Sequence, residues 1–134
     1  MRILTNEDYK LLEQLVKLTQ KGMHKTMAAY LRHKYKNVIC TEKYIVAVGD
    51  IPIALVAHMD TVFKYPVTDM YYDSQKGVVW SPEGLGADDR AGIFAIIKIL
   101  RTGLRPSVIL TTDEETGAIG ASALADKDCP IPNL

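Results

Sequence analysis

Five side chains that could bind a metal ion or move a proton stand where apolar or glycine-rich stretches of this sequence end. They are His58, Asp60, Asp88, Glu114 and Glu115. Imidazole and carboxylate groups are nitrogen and oxygen ligands that zinc binds in proteins, and a carboxylate can also act as a general base. A single His-x-Asp or a pair of neighbouring acids is more often structural or solvated, but three such endings in one small chain indicate a metal site.

Each of these residue types has a distinct use in a hydrolytic metal centre. His58 can bind a metal through one ring nitrogen while Asp60, two residues later, hydrogen-bonds the other nitrogen and orients the ring. Asp88 can offer its two carboxylate oxygens to two metal ions. Of Glu114 and Glu115, one can bind metal while its neighbour takes the proton of the attacking water. The residues therefore predict hydrolysis by a metal-activated water.

The predicted elements bring these residues to one edge of a sheet. A near-continuous apolar run from Ile53 to Ala57 indicates a buried strand, a second strand spans Val108 to Thr112, and a helix is expected over 89–102 between them. A strand, a helix and a strand in this order form a βαβ unit with parallel strands. Ligands collect at the carboxyl ends of such strands, which is where the histidine and the glutamates stand.

The rest of the chain predicts helices and hairpins around this unit. A first helix is expected from a cap at Thr5 or Asn6, and a second over 25–35 after an interruption at Gly22. Two hairpins are expected on either side of the first buried strand. The 134 residues are enough for one ordinary domain. We therefore predict a single α/β domain over 1–134, built on a mixed, mainly parallel sheet.

Composition excludes several other classes of function. The 16 basic and 16 acidic residues cancel, so we expect no binding to nucleic acid or to an anionic membrane. No apolar stretch approaches the ~20 residues of a membrane span. The N-terminus lacks the apolar core of a signal peptide, which predicts a soluble, cytoplasmic protein. Cys40 and Cys129 are expected to be unpaired thiols, and His24 and His33 solvated surface histidines.

Three blocks of the sequence resemble the successive signatures of the di-zinc exopeptidases, a family that includes tripeptidase T, carboxypeptidase G and the co-catalytic leucyl aminopeptidases. The blocks are His58–Val62, Gly86–Ile93 and Thr112–Gly117. The middle block is most similar to that of tripeptidase T, with Arg90 where that enzyme typically has lysine. The resemblance extends in order and spacing from Ile53 to Ala121. It implies a three-layer helix–sheet–helix fold.

The resemblance also implies a role for each candidate residue. His58 would bind one metal ion with Asp60 behind it as the orienting carboxylate. Asp88 would bridge two metal ions, Glu114 would be the general base, and Glu115 would bind the other metal. A complete centre of this kind holds two zinc ions, with cobalt or manganese as alternatives. The family also holds the peptide bond after the bridging aspartate in the cis form.

The chain departs from the family after Glu115. Family members have two further ligands, an acid at the end of the next strand and a later histidine, whereas the 19 residues here contain Asp126 and Asp128 as acids and no histidine. Each metal ion would keep two protein ligands, one of them shared. We therefore expect an incomplete domain, corresponding to the N-terminal part of such an enzyme, with impaired activity by itself.

Three functions are compatible with these residues. The leading hypothesis is a zinc-dependent exopeptidase of the aminopeptidase or tripeptidase kind, which cleaves a peptide bond near a chain terminus. The second is a deacylase or amidohydrolase of the same fold that acts on acyl-amino acids. The third is a non-catalytic module that binds a peptide or a partner chain. An exposed sheet edge left by missing strands would favour association with a second copy of the chain.

Overall fold

The computed structural model describes residues 4–128 and 130–132. Within those ranges the chain forms helices and strands in the following order: α1 Asn6–Val16, α2 Gln20–Lys34, β1 Val38–Cys40, β2 Tyr44–Ala47, β3 Ile51–His58, β4 Tyr71–Asp73, β5 Val78–Trp80, α3 Ala87–Leu100, β6 Pro106–Thr111 and α4 Ile119–Ala125.

The main sheet is mixed and has the strand order β1-β2-β6-β3. β3 and β6 pair in parallel on either side of α3, which confirms the predicted βαβ unit. The pairings of β2 with β1 and with β6 are antiparallel. The sheet is therefore mixed, as predicted, and among its described strands one pairing is parallel and two are antiparallel. β4 and β5 form a separate hairpin.

Helices cover both faces of this sheet. The larger core joins α1, α2 and α3 to one face, and among its members are Met27, Ile93 and Leu110, each fully buried. On the other face, Val46 packs with residues of α4 such as Leu124. The predicted three-layer helix–sheet–helix arrangement is therefore confirmed within the described residues.

The first two helices are set by their N-terminal caps. Thr5 caps α1 in a reciprocal capping box with Asp8, as the sequence predicts. α2 begins at Gln20 rather than near residue 25, because the Thr19 hydroxyl accepts a hydrogen bond from the N–H of Gly22. The predicted interruption at Gly22 is therefore wrong. This glycine lies in the first turn of α2, and the break in the chain falls before Thr19.

β3 is an edge strand rather than a buried one. Its side chains include Ile53 and Val56, which are 53% and 62% exposed. The apolar run predicts a strand correctly, but in the described structure β3 has a neighbour, β6, on one side only. Helices pack on both faces of β3, with Leu55 in the larger core and Ala54 in the cluster with α4, so the exposure comes from the uncovered edge of the strand.

The remaining predictions concern surface and location. Cys40 is a free, half-buried thiol, and Cys129 lies outside the described residues. No helix in the described part of the chain is long and apolar enough to cross a membrane. The cytoplasmic location and the single domain over 1–134 stay predictions.

Candidate metal centre

The candidate centre lies where β3 and β6 end side by side. His58 is the last residue of β3 and stands opposite Thr111, the last residue of β6, in the parallel register. The backbone N–H of Met59 continues this pairing by donating to the carbonyl of Thr111 at 2.8 Å. The chain that leaves β6 therefore carries Glu114 and Glu115 past the imidazole of His58.

Three of the predicted site residues converge at this point. His58, Glu114 and Glu115 each offer one ligand atom, and these atoms lie within 4.8 Å of one another. The His58 Nε2 atom is 3.8 Å from the Glu114 Oε2 atom. One imidazole nitrogen and two carboxylate oxygens at this spacing match the donor types and the number of protein ligands in catalytic zinc sites. The residues present therefore fit a divalent cation.

Asp60 has two functions at the centre. Its carboxylate Oδ1 atom lies 3.2 Å from the His58 Nδ1 atom, which is the orienting contact that the sequence predicts. The same carboxylate accepts hydrogen bonds from the backbone N–H groups of Glu114 and Glu115, both at 3.0 Å. The second function is not predicted from the sequence. Asp60 is buried, so it joins the end of β3 firmly to the segment after β6.

Asp88 reaches the centre from the start of α3. Its Oδ1 atom is 3.0 Å from the His58 Nε2 atom, and its side chain is 85% exposed. The backbone at Asp88 is not helical, with φ −85° and ψ 108°, and its peptide bond to Asp89 is cis, as the family resemblance implies. Asp88 thus contacts the predicted histidine ligand but is not one of the three residues whose ligand atoms converge.

Asp89 is a site residue that the sequence reasoning missed. Its Oδ2 atom accepts a hydrogen bond from the N–H of His58 at 3.3 Å, and its Oδ1 atom accepts one from the N–H of Gly92 at 3.1 Å. A side-chain acceptor three residues before the donor is the geometry of a helix N-cap. A Cβ atom at Gly92 would overlap the Asp89 carboxylate, so the glycine is required here. The Asp-x-x-Gly spacing is the sequence signal that could have identified this cap.

Arg90 holds the start of α3 against the junction between α1 and α2. Its buried guanidinium donates hydrogen bonds to the backbone carbonyls of Leu15 and Leu18. Burial lowers the pKa of Arg90 from its usual value, and the charge of Asp60 acts in the opposite direction. A guanidinium can donate to two carbonyls at once in a fixed geometry, which makes arginine well suited to this position.

The electrostatic surroundings of His58 favour its protonated form when no cation is bound. Burial works against protonation, but the hydrogen bond to Asp88 and the charge of Asp60 outweigh it. The net result is that the pKa of His58 is raised above its usual value of 6.5. A cation bound at the ring would take the place of this proton, since metal ligation requires neutral imidazole.

A cavity of about 230 Å³ opens beside the centre. It is lined by the buried Asp60 and Arg90 and also by Lys64, Tyr65 and Gln20. The cavity is smaller than the ~300 Å³ at which pockets for drug-sized ligands begin, so it suits a short, polar ligand.

An α/β sheet with a histidine and carboxylates gathered at the carboxyl ends of its parallel strands is an arrangement that metal-dependent hydrolases use. Among solved structures, the chain is similar to the aminoacylhistidine dipeptidase of Vibrio alginolyticus, with a TM-score of 0.68 and 18% identity over 90% of this chain. It is also similar to the aminopeptidase PepT of Bacillus cereus, with a TM-score of 0.63 and 20% identity over 91% of this chain.

These likenesses show the fold, which is that of the matching part of two peptidases, and they confirm the fold predicted from the three sequence blocks. The chain spans 30% of the length of the dipeptidase and 40% of that of the aminopeptidase. No protein-family model matches the sequence. A search of curated proteins also found no match.

Proposed function

We propose that this chain contributes to the centre of a metal-dependent exopeptidase, which hydrolyses a peptide bond near a chain terminus. The observation that carries the proposal is the convergence of His58, Glu114 and Glu115, whose ligand atoms lie within 4.8 Å of one another. The fold supports it, because both structural neighbours are described as peptidases. The cation we propose is zinc, with cobalt or manganese as alternatives.

We propose a role for each residue of the centre, which the family resemblance suggests and the contacts support. His58 would hold one cation and Glu115 the other, and Asp88, which already contacts the His58 ring at 3.0 Å, would be shared by the two. Asp60 keeps the ring of His58 oriented through its Nδ1 atom. When bound, zinc would polarise a peptide carbonyl and lower the pKa of a water molecule.

Glu114 is the residue we propose as general base. Its side chain is exposed, so it can reach a water molecule at the open side of the cluster, while its backbone N–H is fixed by Asp60. Glu114 would take a proton from the attacking water and deliver it to the leaving amine. Exposure distinguishes it from Glu115, which is half-buried and better placed to remain a ligand.

The substrate that we propose is a short peptide or an acyl-amino acid. The cavity beside Asp60 has both acidic and basic side chains at its walls, which suits the polar main chain of such a molecule better than a purely apolar ligand. A panel of dipeptides, tripeptides and N-acyl-amino acids would separate an exopeptidase from a deacylase of the same fold. Faster cleavage of acyl-amino acids than of any peptide would favour the deacylase.

Zinc binding is the first test of the proposal. Calorimetric titration of the metal-free chain should show binding that weakens at least tenfold in Glu115→Gln. The matched control is Glu7→Gln, which changes an exposed glutamate in the first turn of α1 and should leave the affinity unchanged. Because these residues provide two ligands to each ion with one shared, we expect weak binding and slow turnover from this chain. Absence of zinc binding would favour the non-catalytic module instead.

Peptide hydrolysis is the second test. Any turnover that zinc, cobalt or manganese supports should fall by two or more orders of magnitude in Glu114→Gln, since general-base catalysis contributes about 10²–10⁴-fold. Zinc affinity should change much less in this variant than in Glu115→Gln. Equal turnover by the wild type and Glu114→Gln would rule out the role of Glu114.

A further inference from the structure

Gln20, the first residue of α2, is hydrogen-bonded at both ends of its side-chain amide to Asp113. Its Nε2 atom donates to the Asp113 Oδ1 atom at 3.0 Å, and its Oε1 atom accepts from the backbone N–H of Asp113 at 2.9 Å. The two residues are 93 positions apart in the sequence. An amide that donates and accepts at once fixes both the position and the orientation of its partner.

Asp113 stands at a point where the chain needs such a partner. Its φ of 53° places it in the left-handed region, which aspartate tolerates better than most residues but still enters at a cost of about 1 kcal/mol or more. In a regular strand, the side chains of Glu114 and Glu115 would point to opposite faces. The turn at Asp113 ends the strand geometry, and both glutamates then reach the same cluster.

Side chains from two distant elements hold this segment. The consecutive N–H groups of Asp113, Glu114 and Glu115 donate to Gln20 in the first case and to Asp60 in the other two. The preceding N–H, that of Thr112, still donates to the backbone carbonyl of Lys43. The sheet ladder thus ends at Thr112, and side-chain acceptors take over for the next three residues.

Gln20 itself is held in place from both sides of its helix start. Thr19 caps α2 and accepts a hydrogen bond from Gly22, while Arg90 donates to the carbonyl of Leu18 at 2.8 Å. Since Arg90 belongs to α3, the junction that carries Gln20 is bound to the same helix whose start carries Asp88. Gln20 is therefore a fixed point and not a mobile surface side chain.

We propose that Gln20 is a positioning residue that keeps the backbone turned at Asp113 and so directs Glu114 and Glu115 into one cluster. The hydrogen bonds described for Gln20 go to Asp113 and not to a proposed ligand, so Gln20 would act through Asp113. The consequence for metal affinity rests on the function proposed above. The consequence for the conformational stability of residues 113–115 does not rest on that function, because it is measured in the metal-free chain.

The direct test is amide hydrogen exchange, followed by NMR in the metal-free chain. In Gln20→Ala the amides of residues 113–115 should exchange about tenfold faster or more, because the loss of hydrogen bonds of this kind removes local protection. Amides in the centre of β6, such as that of Ile109, should exchange as in the wild type. The matched control is Gln14→Ala, on the exposed side of α1. Unchanged exchange at residues 113–115 would overturn the proposal.

A rescue experiment separates positioning from a general effect on α2. Gln20→Glu alone places a carboxylate opposite Asp113 and should speed exchange at residues 113–115. Combining Gln20→Glu with Asp113→Asn reverses the polarity of the pair, because the new side-chain amide can donate to the new carboxylate, which still accepts from the backbone N–H. Exchange in the double variant should return to within about threefold of the wild type. Failure of this rescue would show that Gln20 matters only to its own helix.

Zinc titration then connects the segment to the ligands. Gln20→Ala should weaken zinc binding about three- to tenfold, although this substitution removes none of the proposed ligands. Faster exchange with unchanged zinc affinity would overturn the claim that Gln20 directs the glutamates. If the wild type bound no zinc, the proposed function would fail, and the exchange and rescue results would still decide whether Gln20 positions the segment.

Discussion

The two segments that carry the acids of the candidate centre, 86–92 and 112–116, are held in different ways. In 112–116, three consecutive N–H groups donate to the side chains of Gln20 and Asp60. In 86–92, Asp89 folds back to cap its own helix, and the carboxylate of Asp88 is 85% exposed with His58 as its described partner. One segment is anchored through its backbone by buried or half-buried residues, and the other through the start of a helix.

This difference has a consequence for how the centre could bind a cation. Because the backbone at Glu114 and Glu115 is fixed, this segment needs to lose little further backbone freedom on binding, which favours a preorganised arrangement of the proposed base and ligand. Asp88 is exposed and can adjust its side chain, which suits a ligand that bridges two ions at different distances. The comparison predicts that substitutions at the anchors of segment 112–116 lower the free energy of unfolding more than substitution of Asp88 does.

The largest effect is expected for Asp60→Ala. This change removes the acceptor of the two glutamate N–H groups and the partner of the His58 ring at a buried position. Hydrogen bonds to a charged acceptor contribute about 1.5–3 kcal/mol each and are not additive, so we expect a loss of about 2–4 kcal/mol in the free energy of unfolding. Chemical denaturation measures it. Asp69→Ala, at an exposed aspartate, is the control and should change little.

A smaller loss is expected for Gly92→Ala. The added Cβ atom would overlap the Asp89 carboxylate and displace it from its contacts with the N–H groups of Gly92 and His58. Overpacking of this kind costs about 1–3 kcal/mol. Gly22→Ala, also within a helix, is the control, because the nearest atoms to its Cβ atom would be side-chain atoms of Leu18 and Thr19 at 3.3 Å, which is close but not overlapping. If the two alanine variants were equally stable, Asp89 would not be the anchor of segment 86–92.

The smallest effect on stability is expected for Asp88→Asn. The exposed side chain should leave the free energy of unfolding near its wild-type value at neutral pH. Its hydrogen bond is the largest contribution that raises the pKa of His58, so that pKa should fall in this variant. NMR titration of the imidazole in the metal-free chain measures the change, and an unaltered pKa would contradict the described contact.

The sign of the accompanying pH dependence follows from the same contact. Folded His58 binds its proton more tightly than unfolded His58, whose pKa is near 6.5. The contact therefore stabilises the wild-type fold below that pH, and this contribution is lost as the pH rises through the higher pKa of the folded state. In Asp88→Asn the difference in stability between acidic and neutral pH should be smaller.

Much of the fold and of the candidate site was predictable because it depends on local patterns. The apolar runs that end at His58 and Thr111 predict two strands, and the helical spacing between them predicts α3, so their parallel pairing follows. The exposure of β3 was not predictable in this way. An apolar strand has the same composition whether or not a neighbouring strand covers its second edge, and Ile53 and Val56 are exposed in the described structure.

By itself, the sequence determined which residues could do chemistry, their order along the chain and the elements that end in them. Only the tertiary structure decided how the side chains of those residues are oriented. The anchors of residues 113–115 come from Asp60 and Gln20, which precede them by more than fifty positions, and a glutamine at a helix start has no local signal of its partner. The physical reason is that a hydrogen bond between distant residues depends on where the whole chain has placed both of them, and not on the pattern around either one.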